Sequence, residues 1–119
     1  MSVNPAVKEA DVWIGRGDEF AKSGNNSKAL ECYAKAIEIN PRASFAYFKR
    51  SQVFVAMGRN QEAISDLGSA IALNDNFSFA YFKRGSIYTE TKQYRVAIED
   101  FNKAIELNSE FAFAWFKRG

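Results

Sequence analysis

The sequence predicts an all-α fold, a solenoid in which antiparallel helix pairs stack on one another, and three observations predict it. A seven-residue phrase recurs every 34 residues, as FAYFKRS at 45–51, FAYFKRG at 79–85 and FAWFKRG at 113–119. A second phrase keeps the same spacing, as AIEIN at 36–40, AIALN at 70–74 and AIELN at 104–108. A third marker is an alanine followed by leucine or isoleucine, at Ala29, Ala63 and Ala97. Three markers that share one period indicate a repeat architecture.

Each repeat unit is predicted to form two helices joined by a polar turn. In the last full unit, Tyr81, Gly85 and Tyr88 recur at the spacing of one helical face. A second apolar stripe follows in the same unit, at Ala97, Ile98, Phe101, Ala104 and Ile105. The segment ETKQY between the stripes is short and polar, which suits an antiparallel turn. The unit is therefore a helical hairpin.

Small residues mark the places where the two helices of a hairpin are expected to approach closely. They share one position in the first helix, at Gly17, Ser51 and Gly85, and one in the second, at Ala36, Ala70 and Ala104. In the first two units the turn contains a glycine, Gly24 or Gly58, that is able to adopt the left-handed conformation ending a helix. A hairpin of this size cannot bury its apolar face alone, so we expect the hairpins to stack.

The period divides the chain into a lead-in and successive units. We assign residues 1–9 to the lead-in, 10–43, 44–77 and 78–111 to three units, and 112–119 to the truncated first helix of a fourth. That last helix is too short to be stable alone, so we expect it to pack on the third unit. Its aromatic residues would crowd an exposed edge, which indicates either interaction or truncation.

The unit resembles the tetratricopeptide repeat, a 34-residue helix pair with the pattern W-x2-L-G-x2-Y, then A-x3-F, A and P. The third unit matches at Tyr81, Gly85, Tyr88, Ala97, Phe101 and Ala104, and the first at Trp13, Gly17, Phe20, Ala29, Tyr33, Ala36 and Pro41. The resemblance covers about residues 10–119. It implies a right-handed superhelical solenoid whose concave groove holds a peptide.

Where the pattern has leucine, this chain has Arg16, Arg50, Arg84 and Arg118. We expect each arginine stem to cover apolar surface while its head stays in solvent.

The groove implied by the resemblance lies on the side of each first helix opposite to the stripe that meets the second helix. The predicted peptide-binding residues are Phe45, Phe48, Lys49, Gln52, Phe79, Phe82, Lys83, Ser86, Phe113, Phe116 and Lys117. Stacking would turn them into two aromatic rows and a lysine row, a surface that suits apolar and acidic ligand groups. Three alternatives remain open. In the first, the aromatic residues pack one repeat against the next. In the second, they mediate self-association. In the third, the lysines simply face solvent.

The first unit differs from the others along this face, with Asp11, Ile14 and Asp18 where later units have Phe, Phe and Gln or Ser. The groove is therefore predicted to be acidic at its N-terminal end and aromatic and basic at its C-terminal end, a gradient that would orient an extended ligand.

Some tetratricopeptide proteins grip the C-terminal carboxylate of heat-shock chaperones with a clamp of two lysines, two asparagines and an arginine. At the matching positions only Lys83 keeps its counterpart's charge, Lys49 adds one in place of an asparagine, and Asp18 would repel a carboxylate.

Composition disfavours several other classes of function. The 119-residue chain has no histidine, one cysteine and a formal net charge of +2. No pairing of a nucleophile with a base, no phosphate-binding glycine loop and no metal-ligand cluster is present, so we expect neither an enzyme nor a cofactor. Cys32 is expected to be a reduced, partly buried thiol. The low net charge and the acidic first unit argue against nucleic acid. The N-terminal residues MSVNPAVKEADVW lack the pattern of a signal peptide, and no membrane span is predicted, which favours a cytoplasmic protein.

These observations predict a non-catalytic adaptor that binds a protein or peptide segment of apolar and acidic character in the concave groove. The alternative is a self-assembling scaffold that stacks head to tail through uncapped repeat ends. In that alternative the basic and aromatic C-terminal end of one copy meets the acidic N-terminal end of the next, a heterologous contact that propagates.

Overall fold

A computed structural model of the chain describes residues 4–108 as six α-helices, with no strand within that range. The helices are α1 (Pro5–Lys22), α2 (Asn26–Ile39), α3 (Ser44–Ala56), α4 (Asn60–Leu73), α5 (Ser78–Glu90) and α6 (Tyr94–Leu107). The predicted all-α class is confirmed. The predicted fourth unit at 112–119, with the candidate groove residues Phe113, Phe116 and Lys117, lies outside the described residues.

Helix α1 begins inside the segment expected as a lead-in. The side-chain carbonyl of Asn4 accepts a hydrogen bond from the backbone N–H of Ala6 at 2.9 Å, and Pro5 occupies the first helical position. Proline is favourable there because the missing N–H would have had no helical partner. The cap therefore starts the first helix five residues before the first repeat unit was expected to begin.

The helices pack as three consecutive hairpins, α1 with α2, α3 with α4 and α5 with α6. Neighbouring hairpins meet through α2 and α3 and through α4 and α5, so the stack follows the order of the chain. One buried cluster spans the first and second hairpins and includes Tyr33 and Val53. Another spans the second and third and includes Leu67 and Ile87. Each hairpin thus covers the apolar face of its neighbour, which confirms the helical-repeat solenoid.

The predicted close approaches within hairpins are present. A Cβ atom added at Gly17 would lie 2.6 Å from the ring of Tyr33, and one added at Gly85 would lie 3.0 Å from the ring of Phe101. Real Cβ contacts are essentially never as short as the first of these. The absence of a side chain at these two positions therefore permits an aromatic ring of the second helix to rest on the first.

Left-handed residues end the first helix of each hairpin. Gly24 and Gly58 have φ of 83° and 76°, as the sequence predicted for the helix ends. In the third hairpin the corresponding turn places Lys92 at φ 65°. A residue with a Cβ atom is strained in this conformation and glycine is not, so the third turn contains an unfavourable residue.

Buried carboxylates meet the arginines of the second and third hairpins. Arg50 donates from Nε and Nη2 to Asp66 at 2.8 Å each, and Arg84 donates in the same way to Asp100 at 2.8 and 2.9 Å. Asp66 is 4% exposed and Asp100 is 6% exposed. The expectation that these arginine heads stay in solvent was wrong for both residues, because each guanidinium satisfies a carboxylate that would otherwise be buried without a partner.

Candidate functional site

The first helices of the hairpins line one face, and two neighbouring cavities open on it. The larger, about 650 Å³, is lined by Gly15, Asp18, Glu19, Ala21, Lys22, Asn26, Tyr33, Lys49, Gln52, Val53 and Ala56. The smaller, about 330 Å³, is lined by Ser51, Gln52, Val55, Leu67, Phe82, Lys83, Ser86, Ile87 and Glu90. Gln52 lines both, so the cavities are adjacent sections of one groove that crosses α1, α3 and α5.

Five of the predicted groove residues line these cavities. Lys49 lies in the larger cavity, Gln52 in both, and Phe82, Lys83 and Ser86 in the smaller. They come together because positions separated by one repeat occupy the same face of successive first helices, so stacking brings α3 and α5 residues side by side. The smaller cavity therefore combines an aromatic ring, an ammonium group and a hydroxyl.

Phe48 lies in the core instead of on the groove surface. Its side chain is 6% exposed and its ring centroid lies 4.8 Å from that of Phe77, in the turn before α5. It belongs to the buried cluster between the second and third hairpins. An aromatic side chain of this size is most stable when removed from water. For Phe48 the arrangement therefore matches the alternative interpretation, in which the aromatics seal one repeat onto the next.

Phe45 and Phe79 stand outside the two cavities, half exposed at 50% and 52%. The ring of Phe45 stacks against that of Phe77 at 6.2 Å between centroids. The ammonium of Lys49 lies 5.2 Å from the centroid of the same Phe45 ring. Phe45 therefore packs against the next hairpin through Phe77 and also lies beside the ammonium of Lys49 in the groove.

A carboxylate at the N-terminal end of the groove joins three helices. Asp18 of α1 accepts a hydrogen bond from the hydroxyl of Tyr33 of α2 at 2.5 Å. The ammonium of Lys49 of α3 lies 3.9 Å from the same carboxylate oxygen. Burial, followed by the hydrogen bond to Asp18, raises the pKa of Tyr33 well above its usual value. The hydroxyl therefore stays protonated and remains a donor over the physiological range.

The two cavities differ in charge, because the lysine of the larger cavity lies near a carboxylate and the lysine of the smaller one makes no ion pair among the described residues. Asp18 partly offsets the charge of Lys49, whose side chain is 27% exposed. Lys83 is exposed and makes no ion pair within residues 4–108. Among the predicted groove lysines that the structure describes, Lys83 is therefore the one whose charge is available to a ligand.

The sequence did not identify Tyr33 as part of the groove. Periodicity placed it in the interior of the hairpin, and the residue is indeed only 1% exposed. Its hydroxyl reaches the groove only because Gly17 leaves room for the ring to cross α1. The pairs formed by Asp66 and Asp100 were missed too, although a signal existed. Both are aspartates at one repeat position, 16 residues after an arginine of the recurring phrase.

Neither a metal site nor a membrane-spanning helix is present in the part of the chain that the structure describes. Residues 4–108 contain no group of three histidine, cysteine or acidic side chains placed to hold a metal ion. No helix within that range combines the length and the apolar character that crossing a membrane requires.

Comparison with solved structures finds close relatives in fold. The first TPR of Spaghetti (RPAP3), bound to the HSP90 peptide SRMEEVD, has a TM-score of 0.87 at 24% identity, over 94% of this chain and 90% of that one. The Arabidopsis OM64 TPR domain has a TM-score of 0.85 at 26% identity, over 95% of each chain. The second TPR domain of human RPAP3, in complex with the HSP70 peptide SGPTIEEVD, has a TM-score of 0.82 at 26% identity, over 87% of each chain.

Comparison with protein families and with curated proteins completes the assignment. No curated protein sequence matches significantly. Models of the tetratricopeptide repeat match residues 10–42, 46–77 and 80–111, which together make up most of the chain. The chain therefore belongs to the tetratricopeptide repeat family.

Proposed function

We propose that the chain is a non-catalytic adaptor that binds an extended protein segment in the groove across α1, α3 and α5. The observation that supports this most directly is the smaller cavity, in which Lys83 and Phe82 lie beside the apolar side chains of Val55 and Ile87. An ammonium next to an apolar recess fits an acidic residue adjacent to an apolar one. The cavity offers both kinds of contact within one short stretch of ligand.

The related structures support the same ligand chemistry. The second TPR domain of human RPAP3 holds the peptide SGPTIEEVD, in which isoleucine and valine flank two glutamates. In this chain we assign the acidic ligand residue to the smaller cavity, near Lys83. Asp18 lies in the larger cavity and disfavours a carboxylate there, because like charges repel. The groove thus has two sections of different charge preference.

Fluorescence anisotropy with labelled nonapeptides that combine apolar and acidic residues, SGPTIEEVD among them, tests the proposal. We expect binding that weakens as salt is raised, because the charged contacts are screened. Lys83→Glu should weaken binding about tenfold, a change of roughly 1.4 kcal/mol. Arg95→Glu makes the same charge change on exposed α6 surface outside both cavities and should leave binding unchanged. Absence of binding by every peptide, or equal effects of the two variants, would contradict the proposal.

A second candidate, assembly through the ends of the stack, is supported by the outer face of α6. Ile98 on this face is 54% exposed, whereas Ile64, its counterpart one repeat earlier, packs against the cluster between the second and third hairpins. Light scattering over a concentration series tests this candidate. Concentration-dependent growth that Ile98→Glu abolishes is expected for a scaffold, and a monomer at every concentration rules it out.

A further inference from the structure

The second and third hairpins show how this fold satisfies the arginine that replaces the family's leucine. The guanidinium of Arg50 lies over the ring of Tyr47, three residues earlier, at 5.7 Å, and receives the carboxylate of Asp66. Arg84 lies over Tyr81 in the same way, at 5.8 Å, and receives Asp100. Two hairpins of one chain thus give the same arrangement of ring, guanidinium and carboxylate.

The first hairpin has the ring and the guanidinium but lacks the carboxylate. Arg16 lies over Trp13, three residues earlier, at 4.8 Å. The position of Asp66 and Asp100 is taken by Cys32, which is neutral, shorter and 5% exposed. Arg16 is exposed and makes no ion pair anywhere in residues 4–108. The guanidinium therefore lies near the ring three residues earlier, as in the other hairpins, without the acceptor that it has there.

A cavity of about 310 Å³ opens beside Cys32. It is lined by Trp13, Phe20, Lys28, Glu31, Cys32 and Lys35, and it shares no lining residue with either cavity of the groove. The rings of Trp13 and Phe20 give it apolar walls. It is thus a separate recess between α1 and α2, adjoining the position that a carboxylate occupies in the other hairpins.

The charges around this recess favour an anion. Lys28 lines the recess, and its ammonium lies 5.8 Å from the ring of Phe20. Arg16 lies next to the recess, 4.8 Å from the ring of Trp13 in its wall. Lys35 contributes a third cation, which pairs with Glu38 at 3.5 Å, and Glu31 is the single acidic residue of the lining. A guanidinium already held over an aromatic ring loses little freedom when it binds a carboxylate with two hydrogen bonds.

We propose that this recess is a second binding site, which takes an acidic side chain of a partner protein together with a neighbouring apolar side chain. The partner's carboxylate binds Arg16 as Asp66 binds Arg50, and the apolar side chain rests on Trp13 and Phe20 above Cys32. The site shares no lining residue with the groove and would let the chain hold two segments at once.

A pair of blocked hexapeptides tests the site, one of alternating leucine and aspartate and one with asparagine in place of aspartate. The readout is the indole N–H signal of Trp13 in two-dimensional NMR during titration. The acidic peptide should shift this signal and bind about fivefold more tightly than the neutral one, the difference expected for a partly exposed ion pair. Arg16→Gln should remove the preference while the helical circular dichroism stays unchanged.

Substitution of Cys32 separates the proposal from general charge effects. Cys32→Asp supplies the missing carboxylate from within the hairpin, so the acidic peptide should lose its advantage, whereas the isosteric Cys32→Asn should retain it. Lys83→Glu, in the groove, should not alter the Trp13 signal. Equal binding of the two peptides, or a preference that survives Arg16→Gln, would overturn the proposal. A Trp13 signal that moves with protein concentration alone would assign the recess to a second copy and overturn it as well.

Discussion

Arg84 and Asp100 are joined by two hydrogen bonds of 2.8 and 2.9 Å across the third hairpin, and Asp100 is 6% exposed. Removal of the carboxylate alone leaves a partly buried guanidinium without its acceptor. We expect Asp100→Ala to lower the free energy of unfolding by about 2 kcal/mol, less than for a fully buried pair because Arg84 keeps some contact with water. Urea denaturation measures the change.

The double variant Arg84→Leu with Asp100→Ala distinguishes loss of a pair from loss of packing. It restores the family's leucine and removes both charges, so it should recover most of the stability lost by Asp100→Ala. A double variant that is less stable than the single one would show that the guanidinium contributes mainly through its stem.

Gly17 and Gly15 make a matched pair in α1. A Cβ atom at Gly17 would lie 2.6 Å from the ring of Tyr33, whereas one at Gly15 has nothing within 4 Å. We expect Gly17→Ala to destabilise the fold by about 2 kcal/mol through overpacking. Gly15→Ala should stabilise it by up to about 1 kcal/mol, because alanine is the better helix former. Thermal unfolding followed by circular dichroism separates the two, and effects of the same sign would contradict the close approach.

Lys92 has the left-handed conformation that Gly24 and Gly58 have in the other turns. We expect Lys92→Gly to stabilise the fold by roughly 0.5 kcal/mol, the relief of strain less the added freedom of the unfolded chain. Gly58→Ala should destabilise it by about 1 kcal/mol for the opposite reason. A destabilising Lys92→Gly substitution would show that the lysine side chain makes contacts that outweigh the strain.

Tyr33 gives the fold a dependence on alkaline pH. Its pKa is raised from 10.0, so the native state retains a proton that the unfolded state releases. The resulting stabilisation is complete below pH 10 and is lost as the pH rises further. Tyr33→Phe should therefore be less stable than the wild type near pH 7, because Asp18 loses its donor, yet it should lose less stability between pH 9 and 11. Melting temperatures across that range test this, and parallel curves would contradict it.

The sequence predicted the hairpins well, because the prediction of each hairpin depends on local signals that recur from unit to unit. The spacing of Tyr81, Gly85 and Tyr88 and the glycines at 24 and 58 depend only on nearby residues. The role of Phe48 was harder to predict, because it depends on Phe77, which approaches only when the next hairpin stacks.

The contacts of the candidate site were predicted least well, and the reason is geometric. Helical periodicity places a residue on one face of its own helix. It does not specify whether the side chain reaches a neighbouring helix. The bond between Tyr33 and Asp18 depends on the absent side chain of Gly17, and the pair of Arg50 and Asp66 depends on the crossing of α3 and α4. Such contacts follow from the packing of two helices together.

The carboxylate of Asp18 serves a hydroxyl of α2 and an ammonium of α3 at once. Asp18 therefore connects the first two hairpins at the N-terminal end of the groove. A ligand carboxylate that binds Lys49 has to compete with Asp18 for this ammonium, so the contact that links α1 to α3 also limits what the larger cavity accepts.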